Sequence, residues 1–353
     1  MPALIGLIGA GRMGRGIAQA FAFAGHEAIL IDIKRRPADQ VDALRRECLA
    51  EIDAGVSMMA RLGAIADQDR ARVLERTRFA AWADAPEALG RCDVLFECVP
   101  ETLEAKRSAF AAACPAIRDD AVIASTTSTM LSSDLAALVG RPERFLNAHW
   151  LNPAFLVPIV ELSPHATTSP QALQALESIL RGIGKRPVRC ATSPGYIVPR
   201  LQSLILNEAA RMVEEGVASP EQIDEAIRLG FGFRYATMGA LEFIDFGGLD
   251  ILYHANRYLE RTLGERYRLA PVVERYMAEG RLGVRTGRGF YSYGERDLAD
   301  YRFEVCRRQF RLLEQLGAAP QADAALRSPG SPAAPGATTP QPDGLPAHRS
   351  PKP

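Results

Sequence analysis

Two polar side chains in the apolar stretch FLNAHWLNPAFLVPIVELSP are candidates for proton transfer. An imidazole changes its protonation near neutral pH, so His149 can accept a hydroxyl proton and later return it. A carboxylate on the other ring nitrogen would fix the tautomer, and Glu161 would need such a partner if it were buried in an apolar strand. A histidine of this kind is more often a hydrogen-bonded core residue, and a lone strand glutamate is more often exposed. The two residues by themselves therefore leave the catalytic and the structural interpretations open.

A glycine-rich turn near the N-terminus is a candidate for phosphate binding. Gly9, Gly11 and Gly14 stand in GAGRMG, with Met13 between the last two, after an apolar run and before a helical pattern. Without side chains the backbone can approach a pyrophosphate, whose charge meets the free N–H groups of the helix N-terminus. The alternative is a plain glycine turn between a strand and a helix.

Asp32 supports the first interpretation of this turn. It ends the next apolar run, EAILID, near the offset of about 20 residues at which a carboxylate binds the adenosine ribose. A carboxylate there would repel the 2′-phosphate of NADP, whereas the following Lys34, Arg35 and Arg36 would attract it. The arrangement favours NAD as the cofactor.

Strands that alternate with helices are expected to position these residues. Apolar runs of strand length are separated by amphipathic patterns, which is typical of a parallel sheet covered by helices on both faces. We therefore expect an α/β Rossmann-type doubly wound sheet over residues 1–190, with a charged helical excursion at about 37–84. The runs are LIGLIGA, EAILID, DVLFECV, AVIASTT, RFLNAHW and PIVELSP.

The second half of the chain has an almost entirely helical pattern. We expect an all-helical C-terminal domain over residues 191–317, ending in a helix around Leu298 to Leu316. The segment LQSLILNEAARMVEEG has more apolar surface than one helix face requires, which predicts pairing into a homodimer. Residues 318–353 are rich in Pro, Ser, Gly and Ala, which predicts a disordered tail.

Composition excludes several classes of protein. Forty-two basic residues balance forty-two acidic ones, so no net field favours binding to nucleic acid or an anionic membrane. No run approaches the ~18 apolar residues of a spanning helix, and no secretory leader is evident. The six cysteines form no C-x-x-C pair and accompany no His cluster, so we expect neither a metal site nor disulfides, and a cytoplasmic location.

The run HWLNP followed by IVE resembles the L-3-hydroxyacyl-CoA dehydrogenase family, and specifically its 3-hydroxybutyryl-CoA dehydrogenase-like members. The resemblance extends from Leu4 to about Tyr293, through GAGxMG, VPExxxxK, the TS element, PGYIVxRL and RTGRGFY. It implies an NAD-dependent enzyme of fatty acid metabolism that oxidises a short L-3-hydroxyacyl-CoA, such as 3-hydroxybutyryl-CoA. The substrate would enter between the two domains.

The resemblance also implies catalytic roles for individual residues. His149 would be the general base or acid, and Glu161 would orient it. Ser128 would contact the substrate oxygen or the nicotinamide, and Asn152 would help to hold both reactants. Without the family, Ser128 would be interpreted as a turn or cap hydroxyl.

Three further positions would contact the cofactor, and two other positions lack an Asn that the family usually has. Glu101 and Lys106 match cofactor-contacting positions, and Arg285 stands where the family commonly has Lys; without the family, Lys106 and Arg285 would be interpreted as solvated charges. Pro199 stands where the family usually has Asn, so an amide that would bind substrate is missing. Thr126 replaces another Asn, but a hydroxyl can still donate or accept.

Two alternative functions remain open. The runs VELSPH, VEEGVASP and FRYAxxG also resemble gulonate dehydrogenases and lambda-crystallins, so the substrate would be a free 3-hydroxy acid rather than a CoA thioester. A third possibility is a non-catalytic, crystallin-like NAD-binding protein. The presence of both His149 and Glu161 argues against that third possibility.

Overall fold

The computed structural model describes residues 2–294 and 296–320 of the 353-residue chain. Apart from its first three residues, the tail predicted at 318–353 therefore lies outside the described residues. The chain divides into two compact units, the first ending at Glu208 and the second beginning at Ala209. The domain boundary that we placed after residue 190 stays a prediction.

The first unit is built on a single eight-stranded sheet. Its strand order is β3-β2-β1-β4-β5-β6-β7-β8, and every neighbouring pair is parallel except β6 and β7, which are antiparallel. The strands are β1 (Leu4–Ile8), β2 (Glu27–Ile31), β3 (Thr77–Ala80), β4 (Val94–Glu97), β5 (Val122–Ser125), β6 (Phe145–Trp150), β7 (Ile159–Pro164) and β8 (Arg186–Arg189).

Helices cover both faces of this sheet. One buried apolar cluster joins the strands to α1, α2 and α7, and a second joins the opposite face to α4 and α5. Neighbouring residues of one strand alternate between the clusters, as Leu30 and Ile31 do, because side chains in a strand point to opposite faces. The helices are α1 (Arg12–Phe23), α2 (Ala38–Arg61), α3 (Arg70–Leu74), α4 (Ala85–Arg91), α5 (Leu103–Ala113), α6 (Ser132–Ala136), α7 (Pro170–Gly182) and α8 (Val198–Glu214), which continues into the second unit.

The predicted helical excursion is only partly helical. It contains α2 and α3, but it also contains the edge strand β3, which the sequence analysis did not predict. The pattern of β3 is weak because only Thr77 and Ala80 are buried and Arg78 points outward. The Rossmann-type architecture expected from the apolar runs is confirmed.

The regular elements among the described residues of the second unit are all helices, apart from isolated bridges near residues 283–292. Ser219 and Gln222 form a reciprocal capping box at the start of its first complete helix. The helical segment from Ala240 to Leu263 is divided at Gly248, whose φ of +109° does not fit a helix. Its helices are α9 (Pro220–Ala226), a π-helix (Ile227–Gly232), α10 (Phe233–Thr237), α11 (Ala240–Gly247), α12 (Leu249–Leu263), α13 (Pro271–Ala278) and α14 (Leu298–Gln315).

The strand order marks the carboxyl ends of β1 and β4 as the expected position of a ligand site. The chain runs outward in opposite directions from β1 and β4, and ligands bind beyond the carboxyl ends of strands at such a switch point.

None of the helices in the described part of the chain combines the length and the apolar character of a membrane span. The same residues bring together no cluster of side chains that would hold a metal ion.

Candidate active site

The turn between β1 and α1 has the geometry of a phosphate-binding loop. Gly9 has a φ of +107°, which side chains rarely allow. A Cβ on Gly14 would lie 2.4 Å from the carbonyl oxygen of Gly9, so the helix packs too closely on the turn for another residue. Because α1 begins at Arg12, its free N–H groups open onto the turn. The residues present therefore fit the pyrophosphate of a dinucleotide.

The turn is held in place by an arginine that the sequence analysis did not predict. Arg15 Nε donates to the carbonyl oxygen of Ala10 at 2.9 Å. Its guanidinium also pairs with Glu47, at 2.8 Å, and with Glu51, both on α2. The helical excursion is thus tied directly to the glycine turn.

Asp32 lies at the carboxyl end of β2 with 4% of its surface exposed. One carboxylate oxygen accepts from Arg36 Nε at 2.7 Å, and the other accepts from the N–H of Lys34 at 3.2 Å. Each carboxylate oxygen has a second acceptor site, so a ribose hydroxyl can still bind. Arg35 instead stacks over Trp82, with the guanidinium carbon 5.3 Å from the ring centroid.

His149 and Glu161 are cross-strand partners in the antiparallel pair of β6 and β7. His149 Nδ1 lies 2.8 Å from Glu161 Oε2, and 6% and 0% of the two residues are exposed. Because an ionised carboxylate can only accept, Nδ1 carries the hydrogen, and in the neutral ring Nε2 presents its lone pair. No hydrogen bond from the described residues reaches Nε2, which leaves this atom available for a substrate proton.

The second carboxylate oxygen of Glu161 is bound by the start of α8. It accepts from the N–H of Ile197 at 2.9 Å and of Val198 at 2.8 Å, and a helix N-terminus favours negative charge. Burial raises the pKa of Glu161, but the hydrogen bonds from His149 and from these two N–H groups outweigh it, so the pKa is lowered overall. Glu161 is therefore an ionised, fully partnered carboxylate at neutral pH.

Glu101 orders the loop that contains Ser128. Its Oε1 accepts from the N–H of Ser128 at 2.9 Å and of Thr129 at 3.1 Å, and from the hydroxyl of Thr127. Burial raises the pKa of Glu101, but these bonds and the nearby Lys106 lower it overall. No described residue hydrogen-bonds the hydroxyl of Ser128, so this group is free to meet a ligand.

Lys106 is not a solvated charge. It is fully buried, and its Nζ lies 2.9 and 3.1 Å from the two carboxylate oxygens of Glu97 and 3.4 Å from Glu101. Ser125 donates to Glu97 at 2.5 Å, so the ends of β4 and β5 are joined. Glu97 and Ser125 were not predicted from the sequence, although the carboxylate of Glu97 stands at the end of an apolar run.

The loop after β6 carries Asn152, which is exposed. Lys185 anchors this loop by donating to the carbonyl oxygens of Ala154 at 2.6 Å and Val157 at 2.7 Å. Lys185 is buried, and burial lowers its pKa to about 8. Sequence reasoning missed this lysine because its partners are backbone groups.

The other predicted cofactor-contacting residues have diverse surroundings. Met13 is partly buried against the apolar cluster on the α1 side of the sheet. A Cβ added to Gly11 would meet nothing nearer than the Cys98 carbonyl oxygen at 3.8 Å. Arg285 belongs to the second unit, where its guanidinium lies 3.0 Å from Asp250.

Two further buried polar residues beside His149 were not predicted. Asn147 Nδ2 donates to the hydroxyl of Tyr196 at 2.8 Å and to the carbonyl oxygen of Met130 at 2.9 Å. Asn147 precedes His149 by two positions and so points to the same face of β6. This alternation could have indicated Asn147, whereas nothing in the sequence places Tyr196 beside it.

Comparison with known proteins identifies the family of the chain. Residues 4–193 match the family model for the 3-hydroxyacyl-CoA dehydrogenase NAD binding domain, and residues 195–293 match the model for the C-terminal domain of the same family. A 3-hydroxybutyryl-CoA dehydrogenase of Bradyrhizobium diazoefficiens is 33% identical over 82% of this chain and 94% of that protein. The 5-formyl-3-hydroxy-2-methylpyridine 4-carboxylate 5-dehydrogenase of Mesorhizobium japonicum is 28% identical over 82% and 90%.

A solved structure shows the same relationship. The 3-hydroxyacyl-CoA dehydrogenase of Archaeoglobus fulgidus matches with a TM-score of 0.69 and 29% identity, covering 90% of this chain and 99% of that one. The glycine turn, its helix and Asp32 lie within the matched NAD-binding domain, so NAD is the cofactor. The chain belongs to the 3-hydroxyacyl-CoA dehydrogenase family.

Proposed function

We propose that this protein oxidises the 3-hydroxyl group of a short L-3-hydroxyacyl-CoA, such as 3-hydroxybutyryl-CoA, to the 3-oxoacyl-CoA. The observation that carries the proposal is the buried hydrogen bond between His149 and Glu161, which leaves Nε2 as a free base. The name of the Bradyrhizobium relative supports this choice of substrate.

His149 is the general base of the proposed oxidation. Its Nε2 takes the proton of the 3-hydroxyl group, and in the reverse direction the protonated ring returns that proton to the carbonyl oxygen. Glu161 keeps the ring aimed and stabilises its positive charge while the proton is held. Bound NAD supplies the acceptor for the hydride.

Ser128 and Asn152 position the reactants in this proposal. The hydroxyl of Ser128 would hydrogen-bond the reacting oxygen or the nicotinamide amide, because the loop that carries it is fixed by Glu101. Asn152 would bind from the exposed loop after β6. Lys106 would act through Glu101 rather than by direct contact, since its Nζ is already enclosed.

The remaining proposed contacts hold the dinucleotide. Gly9, Gly11, Met13 and Gly14 would form the pyrophosphate turn, and Asp32 would bind the adenosine ribose. The cofactor contact of Arg285 stays a prediction that rests on the resemblance.

A direct assay tests the choice of substrate. Purified protein mixed with NADH and acetoacetyl-CoA should consume NADH rapidly, as followed by absorbance. We expect the loss to depend on both components and to be absent without acetoacetyl-CoA. Loss of NADH only with a free 3-oxo acid would contradict the CoA substrate and keep the dehydrogenase chemistry.

Pro199 favours a free 3-hydroxy acid as the second candidate substrate. It is the second residue of α8 and has neither an amide side chain nor an N–H group, so it offers no donor to a thioester substrate. The Mesorhizobium relative is named for a pyridine carboxylate, which is not a CoA ester. The variant Pro199→Asn should raise kcat/KM for acetoacetyl-CoA if the missing amide limits the use of CoA substrates.

We also propose that the protein forms a homodimer. None of the residues of α8 is buried, and Leu201, Leu204 and Leu206 are each more than half exposed. A run of exposed leucines on one helix is typical of a surface that pairs with another subunit.

A further inference from the structure

Tyr196 packs directly on the proposed base. Its ring is stacked against the imidazole of His149, with the centroids 5.4 Å apart and the planes inclined by 22°. Tyr196 is 5% exposed, so the stack is shielded from water. The face of the imidazole is therefore supported by an aromatic ring, while its edge is held by Glu161.

The hydroxyl of Tyr196 reaches the loop that contains Ser128. It lies 3.1 Å from the carbonyl oxygen of Thr127 and 3.3 Å from that of Met130, and it accepts from Asn147 Nδ2 at 2.8 Å. These two carbonyl groups lie on either side of Ser128 in the chain. The hydroxyl thus fixes the backbone that presents Ser128.

The backbone at Tyr196 leads into the two N–H groups that bind Glu161. Tyr196 is the one described non-glycine residue with positive φ, at +45°. Such a conformation is strained for a bulky residue and persists where surrounding contacts hold it. The following residues, Ile197 and Val198, donate to Glu161, so the strained turn aims those donors.

We propose that Tyr196 is a positioning residue that aligns His149, Glu161 and Ser128 with one another. The inference rests on the proposed function, because the alignment matters only for the reaction at His149. Proton and hydride transfer require reacting atoms in a narrow range of distance and angle, so a loosened imidazole slows the chemical step. Cofactor binding should not depend on Tyr196. Among the described residues, its hydroxyl hydrogen-bonds Asn147, Thr127 and Met130, and not the glycine turn or Asp32.

Two variants separate the ring from the hydroxyl. Tyr196→Phe keeps the stack and removes the hydrogen bonds, and we expect kcat to fall about threefold to tenfold. Tyr196→Leu removes both, and we expect kcat to fall about 10- to 100-fold. Tyr258→Phe is the matched control, since this tyrosine is 58% exposed in the second unit.

The test measures kcat, KM, NADH affinity by fluorescence, and the primary isotope effect with 4-deuterated NADH. If Tyr196 aligns the reactants, both variants lower kcat, raise the isotope effect as the chemical step becomes limiting, and bind NADH within about twofold of wild type. A purely structural role would reduce the amount of active protein and leave the isotope effect unchanged.

The inference is overturned if Tyr196→Leu keeps the wild-type kcat, or loses it without a larger isotope effect. If that variant does not fold, Tyr196→Phe decides alone, and a wild-type kcat and isotope effect overturn the inference. A wild-type protein that reduces neither acetoacetyl-CoA nor a free 3-oxo acid contradicts the proposed function, and the inference fails with it.

Discussion

At the scale of single residues, the buried charge of Glu161 is stabilised by three converging donors. One is the imidazole of His149, and the others are the N–H groups of Ile197 and Val198. A buried carboxylate without such donors would take up a proton instead of remaining charged. The charged state of Glu161 thus depends on the two N–H groups at the start of α8.

We predict that Glu161→Gln lowers the free energy of unfolding by an amount that depends on pH. Because the folded protein lowers the pKa of Glu161 from its ordinary 4.5, the ionised form contributes stability above that pH. The contribution is lost as the pH falls through the lower folded value. At pH 7 the variant should lose about 1 to 3 kcal/mol of unfolding free energy, and this difference should shrink at acid pH.

Urea unfolding across pH 3 to 8 measures this effect. Glu104→Gln, which changes an exposed carboxylate on α5, is the control and should follow the wild type. Parallel curves for wild type and Glu161→Gln at all pH values would show that the carboxylate gains no net stabilisation from its donors.

Sequence reasoning identified His149 and Glu161 but not the geometry that holds them. Their residue types and their resemblance to a family were sufficient to select them. The N–H donors of Ile197 and Val198 were beyond prediction, because every residue has the same backbone groups and only the fold aims these two. Tyr196 was missed for a related reason, since its role depends on a strained turn with no distinctive composition.

At the scale of elements, two glycines of the β1–α1 turn have different structural roles. Gly14 is enclosed by the protein itself, with the Gly9 carbonyl oxygen 2.4 Å from an added Cβ. Gly11 is open, because its nearest neighbour would be 3.8 Å away. Gly14 therefore maintains the fold of the turn, and Gly11 leaves room for the group that binds there.

The two positions make a matched pair of substitutions. Gly14→Ala should lower the melting temperature by several degrees, because the turn or helix must shift to remove the clash. Gly11→Ala should leave the melting temperature within about 1 °C of wild type and weaken NADH binding at least about tenfold. Thermal unfolding and fluorescence titration measure both. Equal NADH affinity for Gly11→Ala and wild type would contradict the assignment of the turn to the pyrophosphate.

The elements differ in how clearly the sequence predicts them. Strands β1, β2 and β4 to β7 are mostly buried and appear as apolar runs, so they were predicted. The edge strands β3 and β8 read TRFA and RPVR, where exposed arginines interrupt the pattern. An edge strand buries fewer of its side chains, and its existence depends on the neighbour with which it pairs.

At the scale of the whole molecule, the proposed homodimer can be tested through α8. Leu204 and Leu206 are each 67% exposed, so replacing Leu204 by Glu should not disturb the core of the subunit. We expect wild type to sediment as a dimer at micromolar concentration and Leu204→Glu to sediment as a monomer. Phe303→Glu, on the exposed surface of α14, is the control and should remain dimeric. Wild-type protein that is monomeric throughout this range would contradict the proposal.

The chain as a whole was predictable in its family, fold and cofactor, which the comparisons confirm. Its substrate was less predictable, because no residue type by itself distinguishes a CoA thioester from a free acid. Pro199 sharpens this question, since it removes the donor that the resemblance led us to expect. Substrate choice therefore depends on shape and charge around the base, which one sequence does not specify.

The central claim is that His149 transfers the proton. The most direct measurement is kcat for NADH oxidation by His149→Gln with the substrate that wild type reduces, together with NADH affinity from fluorescence titration. The claim predicts a kcat lower by about two to four orders of magnitude and an NADH affinity within about twofold of wild type. A variant that keeps the wild-type kcat would contradict it.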